Sequence, residues 1–377
     1  MPVTIQPRWA LLGLLMSLNL VEASPAAAPQ STQLMPPSGI PRPAVIAHRG
    51  ASFDAPESTA PAYRLARELG ADYLELDLQR SKDGVLFALH DDNLQRTTDV
   101  ASKFPERKDS PAHAFTLAEL KTLDAGSWFN QAYPERARPA FRGLQVLTLD
   151  EIIDIAQGSN THQPGLYIET KSPHLFPGIE QDLKAQLLAR GWLSPAITQQ
   201  AKGTLAIGQG PGRVVLQSFD KRSLALLHQA MPHVPKVLLL WVGKGSIEPK
   251  SPQSFAESGL SDKAAFYASQ QPRDQAELIR WLDAAKDGGA IGVGPSVALA
   301  AGGEQSYADL VQPWMNQLAH ERGLLVHAYT VDEPVDVRRV LAAGVDGIFT
   351  NRPTAMLDIL QRPSPRSTTS ILEEHGY

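Results

Sequence analysis

Polar residues close several short apolar runs in this sequence, and these positions are where chemistry is to be sought. His48-Arg49 follows Ala-Val-Ile-Ala, Glu75 and Asp77 alternate with leucines, His90-Asp91 ends the run from Val85, and Glu169 with Lys171 and Gln217 with Phe219 end two more. Burying several acids costs several kcal/mol each unless they pair with cations or bind metal. Glu75, Asp77, Asp91 and Glu169 stand among two histidines, an arginine and a lysine, a set that suits both. Glu75 and Asp77 lie two apart on one strand, so they face the same side and crowd each other unless a cation sits between them. With no cysteine in the chain, oxygen ligands point to Ca²⁺ or Mg²⁺ rather than a structural zinc, although a mixed histidine and carboxylate set also accepts zinc or manganese. Each piece alone has a plain reading: a solvated Glu-x-Asp edge, a lysine neutralising Glu169, Phe219 and Tyr329 as core. Their concurrence at strand ends is what argues for a site.

Such a constellation needs elements that bring strand ends to one mouth. The segment 44–48 reads as a buried strand, followed by a helix that Ser58 or Thr59 can cap and Gly70 stops. A strand over 73–79 comes next. The run 85–90 is too close to it for a helical crossover and predicts an antiparallel hairpin; if Asp83-Gly84 is a two-residue turn, Asp77 falls opposite His90. Periodicity weakens over 93–145, which reads as an insertion covering one side of the mouth. Helices at 150–157, 179–190, 223–229 and 332–343 then alternate with strands at 166–171, 214–218, 237–241, 290–293, 325–329 and 347–350. This beat predicts an α/β fold, a TIM-type (β/α)8 barrel over 44–362 with an insertion after the third strand. The strand count exceeds eight, so at least one of these strands is extra or is not a strand. Residues 363–377, rich in Ser, Pro and Thr, read as a flexible tail.

At 43% hydrophobic and 20% charged, the chain of 377 residues can bury a sizeable core, and a barrel takes roughly 250 residues before insertions. A net charge of −5 with both signs interspersed argues against a nucleic-acid binder. Arg8, an apolar run and then small residues read as a signal peptide over 1–28, cleaved near Ala23 or Ala28, with a Pro-rich linker over 29–43. The run falls short of the roughly 20 apolar residues that span a bilayer, so no stable membrane insertion is expected after cleavage. Export without disulfides suits a bacterial periplasm. No Gly-x-Ser-x-Gly elbow is present, which disfavours acyl transfer.

The same residues carry a specific resemblance. Ala-His-Arg-Gly-Ala at 47–51, Ala-Pro-Glu-Ser-Thr at 55–59, Gly-Ala-Asp-Tyr-Leu-Glu-Leu-Asp-Leu at 70–78, Lys-Asp-Gly at 82–84 and Leu-His-Asp at 89–91 match the glycerophosphodiester phosphodiesterase family in order and spacing. Glu169-Thr170-Lys171, Gln217-Ser218-Phe219, the stretch from His327 to Val331 and that from Gly344 to Thr350 continue it. Thr97-Thr98-Asp99-Val100, Phe104-Pro105-Glu106-Arg107 and a Tyr at 329 resemble the exported periplasmic branch. The resemblance implies that Glu75, Asp77 and Glu169 hold a divalent ion, that His48 and His90 are general acid and base, and that Arg49 and Lys171 bind the phosphate. Glu57 would orient the His48-Arg49 loop, and Phe219 and Tyr329 would line the pocket. Ser58 departs from the family's common Asn, and Tyr329 from its Trp. The implied reaction is metal-dependent hydrolysis of a small glycerophosphodiester, such as glycerophosphocholine or glycerophosphoethanolamine, to sn-glycerol 3-phosphate and an alcohol. In the implied path the glycerol 2-hydroxyl attacks first and water then opens a cyclic phosphate. Rival readings are a lysophospholipase D, a cell-wall phosphodiester hydrolase, or a binding protein that captures such diesters without cleaving them. Oligomeric state is open.

Overall fold

The alternation of side chains along short apolar strands builds two cores at once, one inside a barrel and one outside it. The computed structural model describes residues 1–2, 39–159, 162–193, 210, 212–241, 255–300, 302–303 and 306–377. The expected signal peptide and the first part of the expected linker fall almost entirely at 3–38, outside the described residues. The strands are β1 (Ala44–Ala47), β2 (Tyr73–Arg80), β3 (Leu86–Ala88), β4 (Gly165–Thr170), β5 (Val214–Ser218), β6 (Lys236–Leu240), β7 (Gly292–Pro295), β8 (Leu325–Ala328) and β9 (Gly347–Thr350). All but β3 are parallel, in the order β1-β2-β4-β5-β6-β7-β8-β9, and β9 pairs with β1 to close the barrel. The extra strand is therefore β3, which runs antiparallel to β2.

Inside the barrel, Ile46, Tyr73, Tyr167, Val215, Val237, Leu325 and Phe349 pack into one buried cluster. Their neighbours by one residue, such as Leu74, Leu166 and Val214, face the helices and belong to the larger outer core. Strands buried on both faces explain the near-continuous apolar runs in the sequence. Two residues past the inner apolar layer the same strands present Glu75, Glu169 and Gln217, because a period of two keeps them on the inner face at the carboxyl end.

Helix Ala60–Leu69 starts at Thr59, but the Thr59 hydroxyl donates to the Pro56 carbonyl (2.5 Å) and does not cap the helix; Ser58 lies just outside, at φ +57°. The side-chain cap expected there is replaced by Pro61 in the first turn. Helix Leu149–Gln157 carries the cap in full, a reciprocal Thr148–Glu151 box.

The β2–β3 register differs from expectation by one. Leu78 faces Ala88, Gln79 faces Phe87 and Arg80 faces Leu86, and the Leu89 N–H donates to the Asp77 carbonyl (3.0 Å), so Asp77 lies opposite Leu89 and not His90. The turn holds three residues, 82–84, because Ser81 N–H pairs with the Val85 carbonyl and its hydroxyl with both Val85 N–H and Asp83 Oδ1. Gly84, at φ +88°, takes the left-handed position such a turn requires.

The insertion has a core of its own, Phe87, Leu94, Val100, Phe115, Leu120 and Val146, tied by short helices that include Leu117–Leu120 and Ser127–Ala132. No helix among the described residues is long and apolar enough to cross a membrane. The tail also departs from expectation. Helix Thr368–Glu374 is capped by Ser367 and buries Ile371 and Leu372, Arg366 pairs with Glu68, and Arg362 grips the buried Asp72 through two N–H groups (2.7 and 3.0 Å). Two apolar residues and three arginine contacts are enough to order a segment whose composition suggested a loop. Ile371→Ala should therefore lower unfolding stability by about 2–4 kcal/mol, as a fully buried isoleucine does; an unchanged urea midpoint would return the tail to a loose appendage.

Candidate active site

Parallel register sets the floor of the mouth. Asp77 on β2 stands opposite Glu169 on β4, and Glu169 stands opposite Gln217 on β5. Glu75, one inner step below, receives a hydrogen bond from Gln217 Nε2 (3.2 Å) and another from the backbone N–H of Arg49 (2.9 Å). Ligand oxygens of Glu75, Asp77 and Glu169 all lie within 4.8 Å of one another, and all three residues are buried. Burial, then the charge of Asp77, pushes the Glu75 carboxyl well above its ordinary range. Burial likewise pushes Glu169 up to about 7, against the pull of Lys171. Asp77 goes the other way: burial opposes its charge, but Lys171, His90 and Arg49 together hold it below the usual carboxylate range. Buried Asp77 Oδ2 and Gln217 Oε1 make no hydrogen bond. Carboxylates this close, with oxygen lone pairs to spare, fit a hard divalent cation.

Two cations are already fixed around the cluster. Arg49 Nε lies 3.2 Å from Asp77 Oδ2, and Lys171 Nζ lies 3.5 Å from Asp77 Oδ1 and 3.3 Å from Glu169 Oε1. Arg49 reaches this place because the chain turns sharply after β1, with Arg49 at φ +56° and Gly50 at φ +87°. A side chain at Gly50 would meet Ala62 backbone at 2.6 Å, so only glycine lets the loop sit against its helix. Arg49 Nη1 also donates to Glu57 Oε1 (2.9 Å).

Both histidines are pinned through Nδ1. Asn351 Nδ2 donates to Asp332 Oδ2 (2.8 Å), which turns its Oδ1 toward His48 Nδ1 (2.8 Å) and Ser52 Oγ (2.9 Å). His48 Nδ1 therefore carries the hydrogen. Burial and the adjacent Arg49 lower its pKa to about 3. Half-buried His90 donates from Nδ1 to Asp91 Oδ1 (2.7 Å), and burial and Arg49 lower its pKa too, against Asp77 and Asp91. In each ring Nε2 is left as the atom that can take or give a proton.

Phe219 and Tyr329 meet edge to face, 5.7 Å between centroids, and the Tyr329 hydroxyl donates to the Leu240 carbonyl (3.0 Å). They line one cleft of about 1450 Å³ together with His48, Arg49, Glu57, Glu75, Asp77, His90, Asp91, Glu169, Lys171, Gln217 and Asn351. The insertion supplies part of its wall through Arg96, Trp128 and Tyr133; Trp241 and Tyr307 complete an aromatic rim. Every residue singled out from the sequence thus falls at one mouth. Asn351, Asp332, Arg96 and a role for Asp91 and Gln217 were missed. Asn351 follows β9 directly, so the rule of polar residues ending apolar runs points to it; nothing in the sequence marks Arg96, which reaches the site by tertiary folding.

Glu57, between Arg49 and Arg96, gives a stability test. Burial opposes its charge, but the two arginines lower its pKa from 4.5 to about 2. A depressed carboxyl pKa stabilises the fold above the unfolded value and loses that contribution as pH falls through the folded one. Glu57→Gln should accordingly flatten the loss of stability between pH 4.5 and about 2, by about 3 kcal/mol at most. Urea midpoints measured across that window check it, and parallel curves for the two proteins would reject it.

Comparison with known proteins follows the same residues. Residues 48–355 match the model of the Glycerophosphoryl diester phosphodiesterase family. A glycerophosphodiester phosphodiesterase of Bacillus subtilis is 36% identical over 344 residues, covering 91% of this chain and 94% of that one. Solved structures share the barrel: a phosphodiesterase of Oleispira antarctica in complex with the product sn-glycerol-3-phosphate (TM-score 0.57, 22% identity, 85% of this chain and 97% of that one) and a protein of Silicibacter pomeroyi described as a putative glycerophosphoryl diester phosphodiesterase (0.58, 23%, 89% and 95%). With that match running from the His48 loop, through β2 to β9, into the helix after β9, the chain belongs to the glycerophosphoryl diester phosphodiesterase family.

Proposed function

We propose that this phosphodiesterase hydrolyses small glycerophosphodiesters, glycerophosphocholine and glycerophosphoethanolamine among them, to sn-glycerol 3-phosphate and an alcohol. The observation that carries the reading is the pairing of two Nδ1-pinned histidines with a buried three-carboxylate cluster and two fixed cations in one cleft. Glu75, Asp77 and Glu169 hold one divalent ion, Ca²⁺ or Mg²⁺, which when bound stabilises negative charge on the phosphoryl oxygens. Arg49 and Lys171 bind the phosphate and oppose the charge that builds there during attack. One of His48 and His90 takes the proton of the substrate's 2-hydroxyl as its oxygen attacks phosphorus. The other protonates the departing alcohol oxygen as the ester P–O bond breaks. Water then adds to the cyclic phosphate with the two roles exchanged, opening it to sn-glycerol 3-phosphate. Phe219 and Tyr329 line the pocket, and Glu57 orients the Arg49 loop. The leader over 1–28 directs the chain out of the cytoplasm, to a periplasm, and the catalytic domain spans 44–362. The volume of the cleft, about 1450 Å³ against the roughly 300–1,000 Å³ of small-ligand sites, favours as a second reading a bulkier alcohol, as in a lysophospholipid or a cell-wall polymer.

Purified protein should release glycerol 3-phosphate from glycerophosphocholine, lose that activity to EDTA and regain it with Ca²⁺ or Mg²⁺. His48→Ala and His90→Ala should each lower kcat by about 10²–10⁴-fold; full turnover in either variant would leave the two-histidine chemistry without support, and a folded wild type that binds but never cleaves would favour a capture protein. Because Glu169 is raised to about 7, ion and proton compete for it below that pH. Calorimetric affinity for Ca²⁺ should therefore rise as pH increases through 7, with proton release detected from buffers of different ionisation heat, and Glu169→Gln should weaken binding and remove much of that slope.

A further inference from the structure

Arg96 stands at the start of the insertion, and its guanidinium grips two carboxylates at once. Nη1 and Nη2 donate to Glu57 Oε2 and Oε1 (both 2.8 Å), while Nε and Nη2 donate to Asp91 Oδ2 (2.7 Å) and Oδ1 (2.9 Å). Each carboxylate in turn holds a residue of the site: Glu57 holds Arg49, and Asp91 holds His90. We infer that Arg96 is a positioning residue that locks the phosphate-binding Arg49 and the proton carrier His90 into one geometry, so that the insertion completes the active site as well as walling it. This rests on the hydrolytic reading above.

The bland alternative is an exposed ion pair, which contributes little. Three features stand against it. Arg96 uses both edges of its planar fork, an arrangement that fixes direction as well as charge and that a lysine cannot reproduce. Its partner Glu57 is only 13% exposed. Trp128, from the same insertion, lies 5.8 Å from the guanidinium carbon and backs it on the cleft side. Removing the fork leaves Asp91 and Glu57 with one partner each, free to swing, and misplacing a reacting group by a fraction of its contact distance is costly to the rate.

The test is steady-state kinetics on glycerophosphocholine with wild type, Arg96→Ala, Arg96→Lys, Asp91→Asn and the double variant Arg96→Ala/Asp91→Asn, alongside thermal melts. Outer partners of this kind typically control about 10–100-fold in activity, so Arg96→Ala should lose that much kcat/KM, with both kcat and KM affected. Arg96→Lys should recover little of it. Free guanidinium at millimolar concentration should partly restore Arg96→Ala, since the solvent-facing gap it leaves accepts the missing fork. In the double variant the kcat loss should not exceed that of Asp91→Asn alone, while the KM effect through Glu57 persists. Wild-type kcat and KM in Arg96→Ala would overturn the inference. So would a loss that tracks a lowered melting temperature, is fully restored by lysine and ignores guanidinium, since that is how a purely structural contact behaves. A wild type that cleaves nothing would overturn the hydrolytic reading instead, and this one with it.

Discussion

Three carboxylates within 4.8 Å of one another, all buried, impose the constraint around which the mouth of this barrel is arranged. At an effective dielectric near 20 each ionised pair repels by about 3 kcal/mol. Three such pairs would rival the roughly 5–15 kcal/mol by which a whole domain is stable. Arg49 and Lys171 offset part of this, and their pull falls mainly on Asp77, the acid both of them touch. Glu75 and Glu169 are left raised by burial and by the neighbouring acids. Unbalanced charge of this kind is what a divalent ion placed among the three carboxylates would relieve.

The barrel makes that strain tolerable by keeping it local. Below the acids the inner layer is apolar and aromatic, with Tyr73 and Tyr167 edge to face at 5.6 Å and Tyr167 against Phe349 at 5.0 Å. His327, beneath this layer, pairs with the Tyr167 hydroxyl (2.9 Å), and burial lowers its pKa to about 4, while burial raises Tyr73 and Tyr167 well above their ordinary range, so all three stay neutral. Charge is thereby confined to the upper rows. The low-dielectric floor also strengthens every interaction above it, which is the condition under which two fixed cations can bear on a phosphoryl group.

How much of this was legible from sequence depends on which interactions are periodic. Alternation placed Glu75 and Asp77 on one face of their strand, and the strand-end rule placed His48, Arg49, Glu169 and Lys171 at the mouth, because strand period and strand direction are features that tertiary structure does not alter. Eight parallel strands and one extra followed from the same beat. What failed was set by side-chain detail. The Ser81 hydroxyl lengthens the β2–β3 turn by one residue, Thr59 spends its hydroxyl on Pro56, and Ile371 and Leu372 dock a tail whose composition resembles a loop. Arg96 was invisible because its partners are 39 and 5 residues away and no period connects them.

The one-residue change of register bears directly on the chemistry. In a two-residue hairpin His90 would sit in the ladder opposite Asp77, its position dictated by β2. With the three-residue turn the ladder ends at Ala88, and His90 lies beyond the last pair. Its orientation then comes from Asp91 and, through Asp91, from Arg96 of the insertion. His48 is held instead by Asn351 after β9, which Asp332 fixes in turn. His48 is thus held from within the closed barrel, whereas His90, just past β3, is held through Asp91 by a residue of the insertion. The insertion is anchored to β3 by a shared cluster in which Phe115 of the insertion packs with Phe87 of β3 and with Val146. The eight parallel strands and the loops at their ends supply the three carboxylates and His48, while the orientation of His90 depends on the contact between Asp91 and Arg96 of the insertion.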